Sequence, residues 1–440
     1  MDVVRHGRQD PHRKEARGHE VAGMNAIRID DSRAEFSREP LIRPFGFKGG
    51  YLHELWQTEV KLRSDEHDGC GLGVQSVLWS DAGVFTSVSE DEGNRLMFAI
   101  TERAMELAKG MSFTTPPELL KALLPRLLEY GRDLSGRGSL RPTFVLNALV
   151  PLDFAAWALY ARANGFSDYD AMLPPEFRPA QSARHARCAS IPLISYATGL
   201  DEVRRLVAAG HFFLKIKIGH PGSQDEMLDQ DCARVSAIHK AVRDAETPWT
   251  DCGHPLYYFD ANGRYATKST FMRFVEHLEA IGAADRTAIV EEPFDELADI
   301  EVHDVPLRLA ADESAHTAAD AARRMDMGYR AMALKPIAKT LSVSLAVAAE
   351  AKRRGVPCFC ADLTVSPRMV EWNKCVAARL DAFPGLKGMG LLETNGEQNY
   401  RNWDTMRTRL PFPSASWASE RNGVFELDDE YYSLSGGIFA

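Results

Sequence analysis

Apolar and polar positions change rhythm twice along this chain. From about residue 26 to 90, the runs AIRI, LHELWQTEVKLRS and GLGVQSVLWS are rich in β-branched and aromatic residues and are separated by Gly and Asp turns, which predicts a small antiparallel sheet. From about 91 to 165, apolar residues recur three and four apart in NRLMFAITERAMELAKG, PPELLKALLPRLLEYGRDL and FVLNALVPLDFAAWALYARANG, the period of helices. Pro116 and Pro117 suit a helix start, and Gly110 and Gly165 suit helix ends. Strands followed by helices predict an α+β domain over residues 26–172, with LPPEFRPA (173–180) as a linker behind it.

Beyond the linker the pattern becomes eight short apolar runs, each followed by a helical segment: IPLISYA, FFLKIKIG, LYYFDANG, AIVEEPF, LRLAADES, AMALKPIA, VPCFCADL and GMGLLETN. One polar residue closes each of the last seven: Lys217, Asp260, Glu291, Asp312, Lys335, Asp362 and Glu393. Their successive spacings of 43, 31, 21, 23, 27 and 31 residues fit a strand, a loop, a helix and a return. An open doubly wound sheet has a similar rhythm, but it does not explain a polar residue at nearly every strand end. Barrel enzymes place their chemistry at the C-terminal ends of strands, so the pattern predicts a (β/α) barrel over residues 185–395. Residues 396–440 are expected to return to the N-terminal domain, with the aromatic end EYYSLSGGIFA packing against it. Residues 1–25 are polar and charged, which predicts a flexible tail, with Met24 as a possible start.

At 440 residues, 45% hydrophobic and 26% charged, the chain can bury a large core in two domains, which excludes disordered and collagen-like classes. A net charge of -10 with no concentrated basic face argues against nucleic-acid binding. No apolar run reaches the roughly 18 residues of a membrane span, and the N-terminus carries no signal-peptide core, so a cytoplasmic protein without a membrane partner is expected. The seven cysteines form no CxxC pair and read as reduced thiols, Cys358 and Cys360 as core packing. His220 and His316 read as polar loop residues.

The chemistry lies in the strand ends. Asp260, Glu291 and Asp312 fall on consecutive predicted strands, and three converging carboxylates suit a hard divalent cation such as Mg²⁺. Lys217 and Lys335 flank them, and Lys215 shares a strand face with Lys217. A barrel lysine crowded by another cation and by a metal has reason to give up its proton, as a general base must. Taken singly, each acid is as well explained as a helix N-cap and each lysine as a structural ion-pair partner; it is the set that points to a metal site.

KIK (215–217), DAN (260–262), EEP (291–293), ADES (311–314) and LKP (334–336), in this order and spacing, resemble the muconate-cycloisomerase and dipeptide-epimerase group of the enolase superfamily, the mandelate racemase/muconate lactonizing enzyme family. ALVPLDFAAWALYARANG is similar to the last helix of that family's capping domain. The resemblance implies a modified (β/α)7β TIM-type barrel with an N-terminal α+β capping domain, with Asp260, Glu291 and Asp312 as Mg²⁺ ligands. It further implies Lys217 and Lys335 as bases on opposite substrate faces, Lys215 beside them, and Glu292, Glu313 and Asp362 as supports. The reaction implied is removal of the proton next to a carboxylate through an enediolate. Racemization or epimerization of a small carboxylate is expected; elimination or cycloisomerization on the same intermediate is the alternative, and a barrel that has lost catalysis is a third reading. A homo-oligomer is expected. Glu393, Lys48 and Asn262 are the expected substrate contacts, with FGFKGGYLHE (45–54) as the lid. The chain departs from the group in three places. It has LLETNG where dipeptide epimerases carry Asp-x-Asp, Asp362 where the mandelate-racemase group has His, and KPIAKTLS without the Gly-Gly that follows the sixth-strand lysine.

Overall fold

The computed structural model describes residues 26–47, 50–65 and 67–440. The predicted tail and Lys48 lie outside the described residues.

The N-terminal part is a three-stranded antiparallel sheet, Asp31–Phe47, Gly50–Ser64 and His67–Gln75, packed on three helices, Glu90–Ala108, Pro116–Ser135 and Pro142–Ala163. Two elements differ from the sequence pattern. The long strand Asp31–Phe47 has no clean alternation, and it forms because it pairs along its length with Gly50–Ser64, Phe45 standing opposite Leu52. The described residues of the predicted lid, 45–47 and 50–54, therefore belong to these two paired strands. VLWS (77–80) is a helical turn rather than a strand, because Asn147 on the buried helix takes the Ser76 N–H at 2.9 Å and the Ser80 hydroxyl at 3.2 Å, ending the strand at Gln75.

The buried helix Pro142–Ala163 is the one described helix long and apolar enough to cross a membrane, and its apolar window lies wholly inside the protein. Strand His67–Gln75 rests directly on its backbone. Gly69, Gly71 and Gly73 share one strand face, and a Cβ on Gly71 would stand 2.1 Å from the Pro151 carbonyl oxygen. Only glycine permits that approach.

All eight predicted barrel strands are present. They run Arg187–Ile191 with Leu193–Ile194, then Phe213–Lys217, Leu256–Asp260, Thr287–Glu291, Leu309–Ala311, Ala331–Leu334, Cys358–Cys360 and Gly390–Glu393. Each pairs in parallel with the next. The ring closes through the first strand, which is split at Pro192: its first half pairs with the eighth strand and its second half with the second. The Gln398 amide satisfies both backbone groups of Leu193 at 3.0 and 3.3 Å, and Val424–Glu426 adds an antiparallel strand to the first half. Below the mouth the barrel is filled by Ile191, Phe213, Tyr258, Ile289 and Phe359, so it is a packed core.

One expected helix is missing among the described residues. The fourth and fifth strands are joined by turns and loop over residues 292–308, and the 21-residue spacing there is the shortest in the series. The C-terminal segment also divides its contacts. Tyr400 bonds Gln57 of the cap at 2.8 Å, and the aromatic end packs on the barrel helix Pro367–Ala377, through Tyr431–Cys375 and Trp372–Phe439, while its Ser435 hydroxyl accepts the Tyr169 N–H at the end of the cap at 2.8 Å.

Cap and barrel are joined by a buried junction. Asp153 accepts the Ser342 N–H and hydroxyl at 3.0 and 2.5 Å, and the Trp157 indole donates to the same hydroxyl at 3.0 Å.

Gly71→Ala is expected to lower stability by about 1–3 kcal/mol, since helix backbone must move to admit the methyl. A fall in melting temperature checks this; an unchanged one refutes the direct strand-on-helix contact.

Candidate active site

Register brings the strand-end residues to one level. Lys217 stands opposite Asp260, and Asp260 opposite Glu291, across three adjacent strands. Lys335 follows the sixth strand directly. In a closed ring of eight, the second and sixth strands lie on opposite sides of the mouth.

The buried charges pair as a network. Lys215 Nζ reaches Asp260 at 2.9 Å, Glu291 at 3.3 Å and Glu393 at 3.0 Å, and lies 4.6 Å above the Tyr258 ring. Lys217 donates to Asp260 at 2.6 Å and to the Asn262 side-chain oxygen at 2.7 Å. Asn262 in turn donates to Glu313 at 3.3 Å. Lys335 donates to Asp312 and sits 4.6 Å above the ring of Trp79, which the cap contributes.

Two acids are committed to backbone. Glu292 Oε1 accepts the N–H groups of Asp312 and Ser314, both at 2.8 Å, and the Ser314 hydroxyl, which fixes the loop that carries Asp312 and Glu313. Asp362 accepts the N–H of Leu363 and of Asn395, both at 2.7 Å, tying the seventh strand end to the eighth. Four non-glycine residues with positive φ follow these strands: Asn262 (45°), Glu292 (37°), Thr340 (75°) and Thr364 (60°). Such conformations cost energy and persist where surrounding bonds impose them.

Burial raises Glu291 to about 8, reinforced by the charges of Asp312 and Glu313 although Lys215 and Lys335 oppose it. Burial also raises Glu292 and Asp362, each to about 7, with Glu313 and Glu393 respectively adding to the effect. Asp260 goes the other way: Lys215 and Lys217 overcome its burial and hold it at about 2. The expectation that crowding strips a barrel lysine of its proton is not met at Lys215 or Lys335. Burial opposes their charge, but Asp260, Glu291 and Glu393 around the first and Asp312 and Glu291 around the second raise both.

Carboxylate oxygens of Glu291, Asp312 and Glu313 lie within 4.8 Å of one another. Asp260, expected among the ligands, stands outside that group, in its pairs with the lysines. Glu291 Oε1 is buried and has no hydrogen-bond partner among the described residues. An orphaned carboxylate oxygen beside two further acids fits a hard divalent cation, which takes oxygen ligands and offsets repulsion.

Two residues escaped the sequence reading. Lys339, four residues past Lys335 in KPIAK, is buried and donates to Asp312 Oδ1 at 3.2 Å, to the Asp312 carbonyl at 2.8 Å and to that of Ala315 at 3.3 Å. Its signal was the i+4 spacing in a segment that had lost the usual glycines. Trp79 is buried, its indole N–H has no partner among the described residues, and it lines a chamber of about 40 Å³ with Phe45, Leu52, Lys215, Lys217 and Lys335. Nothing in VLWS marked it, because its position depends on the cap docking.

Residues 200–404 match the family model described as Enolase C-terminal domain-like. Similar solved structures include a mandelate racemase/muconate lactonizing protein from Herpetosiphon aurantiacus (16% identity, 92% of this chain and 96% of that one, TM-score 0.62). They also include the L-Ala-D/L-Glu epimerase from Bacillus subtilis, crystallised with substrate (16%, 85% and 92%, 0.60). A third is a dipeptide epimerase from Enterococcus faecalis complexed with Mg and the dipeptide L-Leu-L-Tyr (16%, 85% and 92%, 0.59). No curated protein matches this chain. The likeness of fold and the match over the barrel bear out the resemblance read from the five motifs.

Lys339→Met should cost about 3 kcal/mol or more, because it removes one of the two lysines paired with the buried Asp312 and leaves its Oδ1 and two carbonyls without their donor. Urea unfolding measures it; a wild-type midpoint refutes the role of Lys339 in holding Asp312.

Proposed function

We propose that this chain, whose residues 200–404 match the family model described as Enolase C-terminal domain-like, is an enzyme that removes the proton α to a carboxylate and returns a proton to the opposite face. It would thus racemize or epimerize a small carboxylate substrate. One observation carries the reading: Lys217 and Lys335 are buried on the second and sixth strands, on opposite sides of a chamber that both line. The structural relatives that act as epimerases support the class.

The α-proton of a carboxylate is very weakly acidic, so the site must supply a base and offset the charge that develops. Asp260, Glu291 and Asp312 would hold Mg²⁺, with Glu313 close by, and the bound ion supplies positive charge against the developing negative charge on the substrate carboxylate. The lysine facing the departing proton would take it on a neutral Nζ, which at Lys335 requires the charges of Asp312 and Glu291 to be offset first; the carbon–hydrogen bond breaks as the nitrogen–hydrogen bond forms. The lysine on the other face, as an ammonium, delivers a proton to the planar carbon. Lys215 remains cationic between Asp260, Glu291 and Glu393, and adds fixed positive charge beneath the substrate carboxylate. Phe45, Leu52 and Trp79 of the cap exclude water from above, and Asn262 steers Lys217.

The metal reading predicts saturable Mg²⁺ binding by calorimetry, weakened at least tenfold by Glu291→Gln, with proton exchange lost on chelation. Chelator-insensitive exchange would sink it.

The two-base reading predicts that Lys217→Ala and Lys335→Ala each lower racemization about a hundredfold or more. Each should still exchange the α-proton of one stereoisomer with D₂O, and the two should differ in which. If one substitution stops all exchange and the other leaves exchange of both isomers, the reaction is a one-base elimination or cycloisomerization. If neither alters exchange, the lysines are not the bases.

A further inference from the structure

The chamber between the two lysines measures about 40 Å³, room for the reacting end of a substrate and little else. Phe45, Leu193 and Asn262 line it, and the same three residues line a second cavity of about 390 Å³ between the cap hairpin and the barrel mouth. That is the size of an ordinary small-ligand site. The two spaces share walls, so a molecule whose α-carbon lies between the lysines has its distal part in the larger one.

The charge of this outer cavity is one-sided. Arg43 enters from the cap strand and Arg264 from the loop after the third barrel strand, and among the described residues no acidic one lines it. Neither guanidinium has an ion pair or a side-chain hydrogen bond among the described residues. Arg141, by contrast, is paired with Glu296 at 2.6 Å. In a chain of net charge -10, two unpaired arginines facing one cavity form a local positive region. A guanidinium presents a planar fork suited to carboxylate or phosphate oxygens. The remaining polar groups of the wall are partly committed, since Ser195 and Thr198 bond each other at 3.1 Å and Gln398 is held by Leu193.

We propose that the outer cavity binds a second anionic group, so that the substrate is an acid bearing one carboxylate at the lysine chamber and another carboxylate at its far end. This rests on the α-carboxylate reading above and names the class of its substrate. Arg43 belongs to the hairpin and Arg264 to the barrel, so the distal anion would also draw the cap down onto the mouth.

The test uses the full chain with Mg²⁺ and two probes of equal size, N-glutarylglycine and its distal monoamide, with binding measured by calorimetry. The diacid should bind at least tenfold more tightly than the monoamide, and in the Arg43→Gln/Arg264→Gln double variant that ratio should fall to about one. Equal affinity of the two probes for the wild type, a ratio that persists in the double variant, or no binding of the diacid each overturns the proposal. Exchange of the glycine α-protons with D₂O is read separately: a diacid preference without exchange leaves the anion site standing and sinks the reaction.

Discussion

Everything at the mouth of this barrel follows from the cost of burying charge. Lys215, Lys217, Lys335 and Lys339 face Asp260, Glu291, Glu292, Asp312, Glu313, Asp362 and Glu393 within one buried region. Unpaired, any of these groups would cost several kcal/mol. The structure answers with shared partners: Lys215 serves three acids, Asp312 receives two lysines, and Glu292 and Asp362 accept hydrogen bonds from backbone N–H groups. Carboxyl groups still outnumber lysines, and Glu291, with an orphaned oxygen and a raised affinity for protons, is where the shortfall concentrates. Stability and the proposed cation site thus have one origin.

The same network explains why the backbone is strained there. Glu292 adopts a positive φ so that its side chain can turn back onto the loop of Asp312, and Asn262 does so between Lys217 and Glu313. Their geometry is imposed by the acids and lysines they hold. The proposed reaction, with two lysines on opposite faces of a flat carbon centre, would draw on such rigidity.

Much of this was legible in the sequence, for a physical reason. A strand that ends in an active-site mouth must switch from apolar to polar within one residue, and Lys217, Asp260, Glu291, Asp312 and Glu393 mark that switch in a fixed rhythm. What escaped depends on contacts between distant segments. Asp31–Phe47 is a strand only because Gly50–Ser64 pairs with it, VLWS is helical only because Asn147 captures its entrance, and Trp79 reaches Lys335 only through cap docking. Lys339 was hidden because its i+4 spacing from Lys335 does not by itself separate a buried lysine from a solvated one. The departure of Asp260 from the tight acid group is equally non-local, since it follows from two lysines of the neighbouring strand.

The split first strand has a consequence for what keeps the barrel shut. The eighth strand meets its first half over Cys188–Ile191 and the second strand meets only Leu193–Ile194, and at this step the Gln398 amide holds Leu193 while Val424–Glu426 covers the other edge of the first half. Both pieces follow the eighth strand in the chain, after every lysine and acid of the mouth. A change beyond residue 395 therefore loosens the ring around the site without altering any lysine or acid within it.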